Sequence, residues 1–263
     1  MINKPVIGVA ALIFVLAATG VYYLRSRNQP LPAAPSAPTA SAPTAEPGIA
    51  HPLPAGTGNA AAGAPVPELA DSDAPFRDAL EQISNADAVK NFLVPQDVIR
   101  KIVVTVDNLP RQKVAVDKRP ANPAAGSFLA NGDELHATLD QRNFERYKPM
   151  VAVVSQLDAK QLGALYIHYY PLFQQSYQNL GYPNGYFNDR LVEVIDNLLA
   201  APEPKGPIEL VRPNVMYTYA DPALEGRSAG QKLLIRMGPE NAKAIKAKLT
   251  ELRAVITAAQ LKH

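Results

Sequence analysis

The chain has 263 residues, of which 47% are hydrophobic and 19% are charged, and its formal net charge is +2. This is the composition of an ordinary globular protein, and a charge balance so close to neutral predicts no nucleic-acid partner. The sequence contains no cysteine, which excludes disulfides, thiolate nucleophiles and cysteine metal sites. It contains 25 prolines, and their uneven distribution indicates how the chain is organised.

The N-terminal end of the sequence predicts a membrane anchor. After a short leader (residues 1–5), residues 6–24 form a run of nineteen positions without a charged side chain. A helix of this length spans roughly 28 Å, close to the hydrocarbon thickness of a bilayer. Two tyrosines close the run and two arginines follow it, as at a membrane–water interface. The alternative is a cleaved signal peptide, but the apolar run exceeds a typical h-region and no small-x-small site precedes a plausible mature end.

We therefore expect a single-pass membrane protein, bound to the bilayer through residues 6–24. The positive charges on the two sides of this run nearly balance, so the positive-inside rule gives weak guidance on orientation. A very short leader followed by the whole protein is the usual layout of a signal anchor with an exported C-terminal part. This layout predicts an exported C-terminal domain.

Residues 25–70 are predicted to be a disordered linker. Within them, residues 28–70 hold ten prolines and thirteen alanines, and their only Asp, Glu, Lys or Arg residues are Glu46 and Glu68. Such a stretch buries too little apolar surface to offset the entropy lost on ordering. Residues 71–263 are predicted to form one mainly helical domain.

Three helices are predicted at the start of this domain. Asp73 is the predicted N-cap of the first, and residues 87–93 form the second. Residues 95–109 place six aliphatic side chains on one broad face, which predicts an amphipathic helix ended by Pro110. The high β-branched content of this stretch leaves a strand as the alternative.

A loop and a hairpin are predicted next. Residues 111–126 indicate a long loop because they are rich in Pro, Ala, Lys and Arg. In residues 127–139 two short runs flank Asn131-Gly132, a dipeptide typical of tight β-hairpin turns. Helical patterns resume at residues 141–147 and at residues 151–157.

The stretch from Asp158 to Leu199 predicts a helical hairpin around which the rest of the domain is organised. It contains six of the eleven tyrosines in the chain. Asp158 is the predicted N-cap of the first helix, and Pro171 is expected to kink it. Gly181 is typical of the position just after a helix and predicts an end near Leu180.

The second helix of the hairpin is predicted to be central to the fold. Asn188 is its predicted N-cap, with Asp189 next to the positive end of the helix dipole. At 100° per residue, five polar side chains share an arc of roughly 120° and aliphatic residues fill the remainder. The polar residues are Asp189, Arg190, Glu193, Asp196 and Asn197. A helix that is apolar over about two thirds of its circumference is buried on several sides.

Short strands and two helices are predicted at the end of the chain. Residues 208–211 and 215–219 have the pattern of short strands. Ser228 is the predicted N-cap of a helix, and Gly238-Pro239 opens a last helix with an apolar stripe. The whole sequence predicts a mainly α fold with a small β-hairpin or short-strand element.

Four stretches of the sequence resemble a known family. They are VDNLPR (residues 106–111), YPLFQQSYQNLGYPNGYFNDRLVEVIDNLL (residues 170–199), ADPALE (residues 220–225) and SAGQKLLIRMGPENA (residues 228–242). They are similar to the bacterial domain of unknown function 3014, and the resemblance extends over nearly the whole chain. It implies a Gram-negative envelope setting, in which residues 6–24 cross the inner membrane and the exported domain is periplasmic. It supplies no activity, substrate, cofactor or catalytic residue.

The turn at residues 181–190 is the best candidate for a ligand- or partner-binding site. The candidate residues are Tyr182, Asn184, Tyr186, Asn188 and Arg190. Aromatic platforms with polar neighbours of this kind bind sugars and peptides. The alternative is a helix–helix turn whose tyrosines only cover the core.

A basic surface on the last helix is the second candidate. Residues 226–263 carry eight Lys or Arg against two Glu, and the exposed candidates are Lys243, Lys246 and Arg253. Such a surface attracts anionic lipid headgroups or an acidic envelope polymer. The alternative is an ordinary solvated helix face.

No metal site, cofactor or catalytic motif is predicted, because the four histidines lack ligand spacing. We expect a membrane-anchored extracytoplasmic domain with a non-enzymatic binding or scaffolding role, whose partner is an envelope protein or a cell-wall polymer. One alternative is an envelope hydrolase in which Glu193 and Asp196 line a cleft about 5–10 Å apart. The other is a small-ligand sensor with an enclosed pocket beside Tyr166, Tyr182 and Tyr186.

Overall fold

The computed structural model of the protein describes residues 48–53, 65–84, 86–112, 118–133, 136–213 and 216–258. The predicted anchor and most of the predicted linker lie outside these residues. No helix within the described ranges combines the length and the apolarity that crossing a bilayer requires. The described part consists of the domain predicted from residue 71 onward and two short stretches before it.

Ten α-helices and one 3₁₀ helix are present in the described ranges. The 3₁₀ helix is Leu69–Asp71. The α-helices are α1 (Asp73–Ile83), α2 (Ala86–Phe92), α3 (Val98–Asn108), α4 (Arg142–Glu145), α5 (Lys148–Ser155), α6 (Ala159–Asn179), α7 (Phe187–Leu199), α8 (Pro222–Glu225), α9 (Ala229–Met237) and α10 (Pro239–Ile256). The predicted mainly helical fold class is confirmed.

Four short strands form one antiparallel sheet in the order β1-β2-β3-β4. They are β1 (Ala130–Asn131), β2 (Ala137–Leu139), β3 (Glu209–Val211) and β4 (Thr218–Tyr219). Ala130 pairs with Leu139, Ala137 pairs with Leu210, and Leu210 pairs with Tyr219. The predicted hairpin and the two predicted later strands are therefore neighbours in a single sheet.

The connection between β1 and β2 is longer than the tight turn that Asn131-Gly132 indicated. The last residue pair of this hairpin joins Asn131 to Thr138, so residues 132–137 lie between the paired positions. Gly132 has a φ of +95°, and a Cβ there would lie 2.1 Å from the carbonyl oxygen of His136. Glycine is needed because the backbone comes so close at this point, and not because the turn has two residues.

The main core lies between α3, α6, α7 and α10. Helix α6 packs against α3 and α10, and α7 packs against the same two helices. A Cβ on Gly163 in α6 would lie 2.2 Å from Cγ1 of Val255 in α10, so this glycine lets the two helices meet closely. The apolar faces predicted for α3 and α7 are buried. They comprise Val98, Ile99, Ile102, Val103, Val106 and Leu109, and Leu191, Val192, Val194, Ile195 and Leu198.

A smaller core lies on the sheet. It comprises Ala137, Leu139, Leu210 and Tyr219 from the strands and Ile235 from α9. Burial raises the pKa of Tyr219 to about 12, and its hydroxyl donates a hydrogen bond to the carbonyl of Lys232 at 3.0 Å. Tyr219 is therefore a neutral structural tyrosine that ties the sheet to α9.

Asp73 has a different role from the predicted N-cap. Helix α1 begins at Asp73 itself, and its N-cap residue Ser72 makes no side-chain cap bond. The Asp73 carboxylate instead accepts hydrogen bonds of 2.8 Å each from the backbone N–H groups of Asp97 and Val98, at the start of α3. Asp97 has a φ of +55°, so the chain turns sharply into α3 and Asp73 satisfies two of the amides at this turn.

Two stretches from the range predicted as linker contact the domain. Leu69 is only 6% exposed and belongs to the main core. The packed structure therefore begins before residue 71, because one leucine among prolines and alanines is enough to join the core. The second stretch, residues 48–53, lies against the start of α7.

Candidate functional site

Gln174 of α6 fixes the turn that leads into α7. Its Nε2 donates a hydrogen bond to the carbonyl of Gly185 at 2.6 Å, and its Oε1 accepts one from the backbone N–H of Phe187 at 2.8 Å. Phe187 is the first residue of α7, so Gln174 supplies the cap from another helix. The prediction of Asn188 as N-cap is wrong, because the N-cap position is Tyr186 and its side chain makes no cap bond.

The tyrosines of the predicted aromatic platform pack against other rings. Tyr182 stacks on Tyr177 with 4.6 Å between the ring centroids and 20° between the planes. Tyr186 packs on Tyr170 with 5.5 Å between the centroids. A Cβ on Gly185 would lie 2.7 Å from the ring of Tyr177, so glycine lets the turn lie flat on these rings. Tyr182 and Tyr186 are each half-buried.

Arg190 points from α7 toward Asp107 of α3. Its Nη2 donates to the Asp107 carbonyl oxygen at 2.7 Å, and its Nε lies 3.2 Å from Asp107 Oδ1. The Nε–H is not aligned for a hydrogen bond, so this second contact is an ion pair only. Nη1 donates to Glu193 at 2.8 Å. Burial works to lower the pKa of Arg190, but the carboxylates of Glu193 and Asp107 more than offset it and raise that pKa.

Asp107 is buried and has three side-chain partners. Besides the ion pair with Arg190, its Oδ2 accepts hydrogen bonds from Arg111 Nη2 at 2.7 Å and from the Tyr182 hydroxyl at 3.3 Å. A buried carboxylate is stable only with such compensation. Asp107 was not predicted as a site residue, yet it joins two residues that were, Tyr182 and Arg190, to α3.

An open depression of about 400 Å³ lies beside this network. Four of the five predicted site residues line it, and so do seven further residues. The predicted residues are Tyr182, Asn184, Tyr186 and Arg190, and the others are Gly48, Ile49, Asp107, Tyr177, Gly185, Asp189 and Glu193. The structure therefore gathers most of the predicted site at one surface.

Asn188, the fifth predicted residue, is wholly buried. Its Oδ1 accepts a hydrogen bond from the Tyr166 hydroxyl at 3.2 Å. Its Nδ2 donates to the carbonyl oxygens of His51 at 2.8 Å and of Ile256 at 3.3 Å. Asn188 thus joins α6, the last residue of α10 and the stretch at residues 48–53.

Asp189 binds residues 48–53 through their main chain. Its carboxylate accepts hydrogen bonds from the backbone N–H of Ala50 at 3.0 Å and from that of His51 at 2.6 Å. Two successive amides converge on one carboxylate only where the chain bends, as in the anion-binding concavities called nests. The chain does bend at Ala50 and His51.

Two further contacts hold the other end of this stretch. The Leu53 N–H donates to the Tyr186 hydroxyl oxygen at 3.2 Å, and the Leu53 side chain packs against the main core. Pro52, the residue between, has no N–H to satisfy. In contrast, the Ile49 side chain is 56% exposed.

Glu193 and Asp196 are held by different arginines. Glu193 lines the depression and pairs with Arg190. Asp196 does not line it, and its two oxygens accept hydrogen bonds of 2.6 and 2.9 Å from Arg253 of α10. The Asp196 hydrogen bond raises the pKa of Arg253. These two carboxylates therefore do not face one common depression.

The predicted basic surface is partly balanced by acidic neighbours. Lys243 is exposed, whereas Lys246 Nζ donates to the Ala201 carbonyl at 2.7 Å and to Glu203 at 2.9 Å. Arg253 pairs with Asp196. Because carboxylates pair with both Lys246 and Arg253, the positive field of this surface is weaker than the sequence count implies.

Two tyrosines of α6 that contact the predicted site residues use their hydroxyls as hydrogen-bond donors, Tyr166 to Asn188 and Tyr170 to Gln174. Burial raises the pKa of Tyr166 well above its ordinary value, and burial together with Tyr186 raises that of Tyr170. Both hydroxyls therefore stay protonated at neutral pH. Among the described residues no group of three or more His, Asp or Glu side chains is placed to hold a metal ion.

Residues 98–253 match the family model described as Protein of unknown function (DUF3014). This range is more than half of the chain. The chain belongs to this family. No curated protein and no solved structure matches it. The range shared with the family contains α3, the sheet and the whole α6–α7 turn, whereas residues 48–53 precede it.

Proposed function

We propose that this family member is a non-enzymatic binding or scaffolding module of the bacterial cell envelope. Its binding surface is the depression beside the α6–α7 turn. The observation that carries the proposal is that four residues predicted for recognition line this depression, while Asp189 beside them already holds a piece of polypeptide. The surface therefore offers the chemistry that polar main-chain or sugar groups require.

The same geometry favours binding over hydrolysis. A glycosidase needs two carboxyl groups on either side of the bond that it cleaves. Here Glu193 is paired with Arg190 and Asp196 with Arg253, and Asp107 is buried among its own partners. The two acids of the hydrolase hypothesis and Asp107 are therefore each committed to a structural contact.

The proposal places the domain in the periplasm, held at the inner membrane by residues 6–24. The uncharged run in the sequence supports this placement, and so does the envelope setting that the sequence resemblance implies. A tether of this kind raises the effective concentration of the domain near a membrane or cell-wall partner. Fusion of a reporter to the C-terminus tests the orientation, and reporter activity on the cytoplasmic side alone would contradict it.

Site-specific crosslinking tests the binding surface. A photo-crosslinking amino acid at Asn184, which is exposed on the rim of the depression, is expected to capture one envelope protein or cell-wall component in intact cells. The matched control carries the same group at Lys160, which is exposed on α6 and does not line the depression. Equal capture from both positions, or none from Asn184, would refute the proposed surface.

A small-ligand sensor is the second candidate, because the depression has the volume of a small-molecule site. It is open, however, and Tyr166 is buried away from its lining. A thermal-shift screen with muropeptides, glycans and lipids tests this candidate. Stabilisation of the wild-type protein that is lost in Asn184→Arg would favour it.

A further inference from the structure

The contacts of residues 48–53 have the form of peptide recognition. Four hydrogen bonds join this segment to α7 and the preceding turn, and each uses a main-chain group of the segment. The Asp189 carboxylate accepts hydrogen bonds from the N–H groups of Ala50 and His51. Asn188 donates one to the His51 carbonyl, and the Tyr186 hydroxyl accepts one from the Leu53 N–H. Main-chain bonds give affinity without demanding particular side chains.

The position of proline in this segment fits the same pattern. The N–H groups that the site uses belong to Ala50, His51 and Leu53. Pro52 stands at the one position of these four whose N–H is not needed, because proline has none to give. The segment thus meets the requirements of the site although it comes from a stretch rich in proline.

We propose that the first turn of α7, together with Tyr186, is a binding site for a peptide main chain, and that residues 48–53 are its intramolecular ligand. The ligand class is a short peptide with two successive free N–H groups, then a proline, then an apolar residue with a free N–H. The envelope partner presents such a segment and displaces residues 48–53. This inference rests on the proposed function, since it names the chemistry of the partner at the same surface.

Residues 48–53 have an advantage over a separate peptide because they belong to the same chain, and this advantage determines how large a change in peptide affinity the test should detect. Eleven residues separate Leu53 from Pro65 along the chain, and a connection this short gives an effective concentration on the order of millimolar. A peptide with the same contacts therefore competes poorly in solution until the internal segment is removed from the site. Its affinity is expected to rise at least tenfold when that happens.

Substitutions at His51 separate main-chain from side-chain recognition. His51→Pro removes one of the two N–H groups that donate hydrogen bonds to Asp189, whereas His51→Ala keeps both. In the full-length protein in nanodiscs, hydrogen exchange at the Ala50 amide is expected to be slow in the wild type and in His51→Ala, and fast in His51→Pro. Ala50→Pro is a second variant that removes the neighbouring N–H, and thermal unfolding verifies that each variant is folded.

Binding of a separate peptide is the decisive measurement. The probe is a fluorescent, end-blocked peptide of residues 48–53 (GIAHPL), and its anisotropy is followed with each full-length variant. It is expected to bind His51→Pro and Ala50→Pro at least tenfold more tightly than the wild type or His51→Ala. A second substitution, Asp189→Ala, is expected to reverse this gain, whereas Glu240→Ala, which removes an acid from the first turn of α10, is not.

Four results would overturn the inference. They are no binding to either proline variant, equal binding by a peptide that itself carries His51→Pro, no effect of Asp189→Ala, and displacement of residues 48–53 by a glycan but by no peptide. If Asn184 still crosslinks one partner in cells, the proposed function survives this failure. If peptide binding is observed but no partner crosslinks, the site stands and the proposed function fails.

Discussion

The starts of α6 and α7 belong to one helical hairpin, yet they are stabilised in different ways. At α6, Asp158 accepts hydrogen bonds from the N–H groups of Lys160 and Gln161 at 2.8 and 2.9 Å, so the helix caps itself. At α7, the first N–H is satisfied by Gln174 of the other helix. The acid in its first turn, Asp189, is left to bind N–H groups from outside the helix. A helix whose start is closed by a neighbour can therefore use its own polar residues for binding.

This comparison predicts that substitutions at the start of α7 lower the free energy of unfolding by very different amounts. The loss is large where the side chain holds the domain together and almost zero where it only binds residues 48–53. At the start of α6, loss of the N-cap is expected to lower the free energy of unfolding by a moderate amount.

Asn188→Ala is expected to have the largest effect, a loss of about 3 kcal/mol in the free energy of unfolding. The substitution leaves the Tyr166 hydroxyl and the Ile256 carbonyl without their partner and opens a cavity. Urea denaturation of the full-length protein measures this loss. Asn184→Ala, an exposed asparagine on the same turn, is the control and is expected to change stability by less than about 0.5 kcal/mol. A loss below about 1 kcal/mol for Asn188→Ala would show that its bonds are dispensable.

Arg190→Met is expected to cost about 2 kcal/mol. It keeps much of the apolar stem but removes the charge beside buried Asp107. Arg111→Met removes the other arginine of that carboxylate, but Arg111 is 53% exposed, so we expect less than about 1 kcal/mol. Denaturation of both variants under the same conditions checks the order. The reverse order would place the main electrostatic partner of Asp107 at the surface.

Asp158→Ala is expected to cost about 1 kcal/mol at neutral pH, as for other N-cap losses. Backbone hydrogen bonds, with that from Gln161 the largest cause, lower the pKa of Asp158 below its ordinary 3.8. A lowered folded-state pKa means that the carboxylate stabilises the protein above the unfolded pKa and loses this effect as pH falls through the folded one. The difference between wild type and Asp158→Ala is therefore expected to shrink below about pH 4.

Asp158→Asn is the control for this cap, because asparagine also caps helices well. It is expected to retain most of the stability and to lose the pH dependence. Unfolding curves at neutral and acidic pH provide the comparison. An unchanged gap between wild type and Asp158→Ala in acid would mean that the cap does not act through its charge.

In the His51→Pro background, where residues 48–53 are not held, Asp189→Ala is expected to have the smallest effect on global stability, below about 0.5 kcal/mol, because its carboxylate caps no residue of α7. Glu240→Ala on α10 serves as the matched first-turn control. A loss of more than about 1 kcal/mol in Asp189→Ala alone would make Asp189 a part of the helix start and remove the contrast with Asp158.

The sequence located the helix starts that depend on neighbouring residues. Asp158 and Ser228 were predicted as N-caps, and both accept bonds from N–H groups within three residues. Gly181, predicted just past the end of α6, has a φ of +113°. These signals work because the donor, the acceptor and the required backbone angle all lie within one turn of helix.

The same kind of signal failed where the partner is distant. Asp73 and Asn188 are short polar residues before apolar runs, as N-caps are, but their partners lie 22 to 137 positions away. Gln174 carries no local signature of its role. The sequence does contain a signal for Asp107, because it is a charged residue next to the buried face of an amphipathic helix.

The structure shows where the predicted site residues lie, and it adds contacts that the sequence does not reveal. Periodicity and turn composition pointed to residues 181–190, and the structure gathers four of the five predicted residues at one depression. Only the folded chain shows that Asp189 is a binding residue or that residues 48–53 reach it. Composition described those residues as linker, because the hydrogen bonds that hold them use main-chain groups, which every residue has.

The amide of Asn188 has a consequence for the far end of the domain. Its single Nδ2 serves the carbonyl of His51 and that of Ile256, the residue at which α10 ends. The final carbonyls of a helix have no intrahelical donors. The Ile256 carbonyl therefore shares the Asn188 donor with the main chain that is bound on α7. Replacement of residues 48–53 by another peptide is then thermodynamically coupled to the packing of the last turn of α10. A spectroscopic probe near the end of α10 would therefore report peptide exchange without contacting the depression.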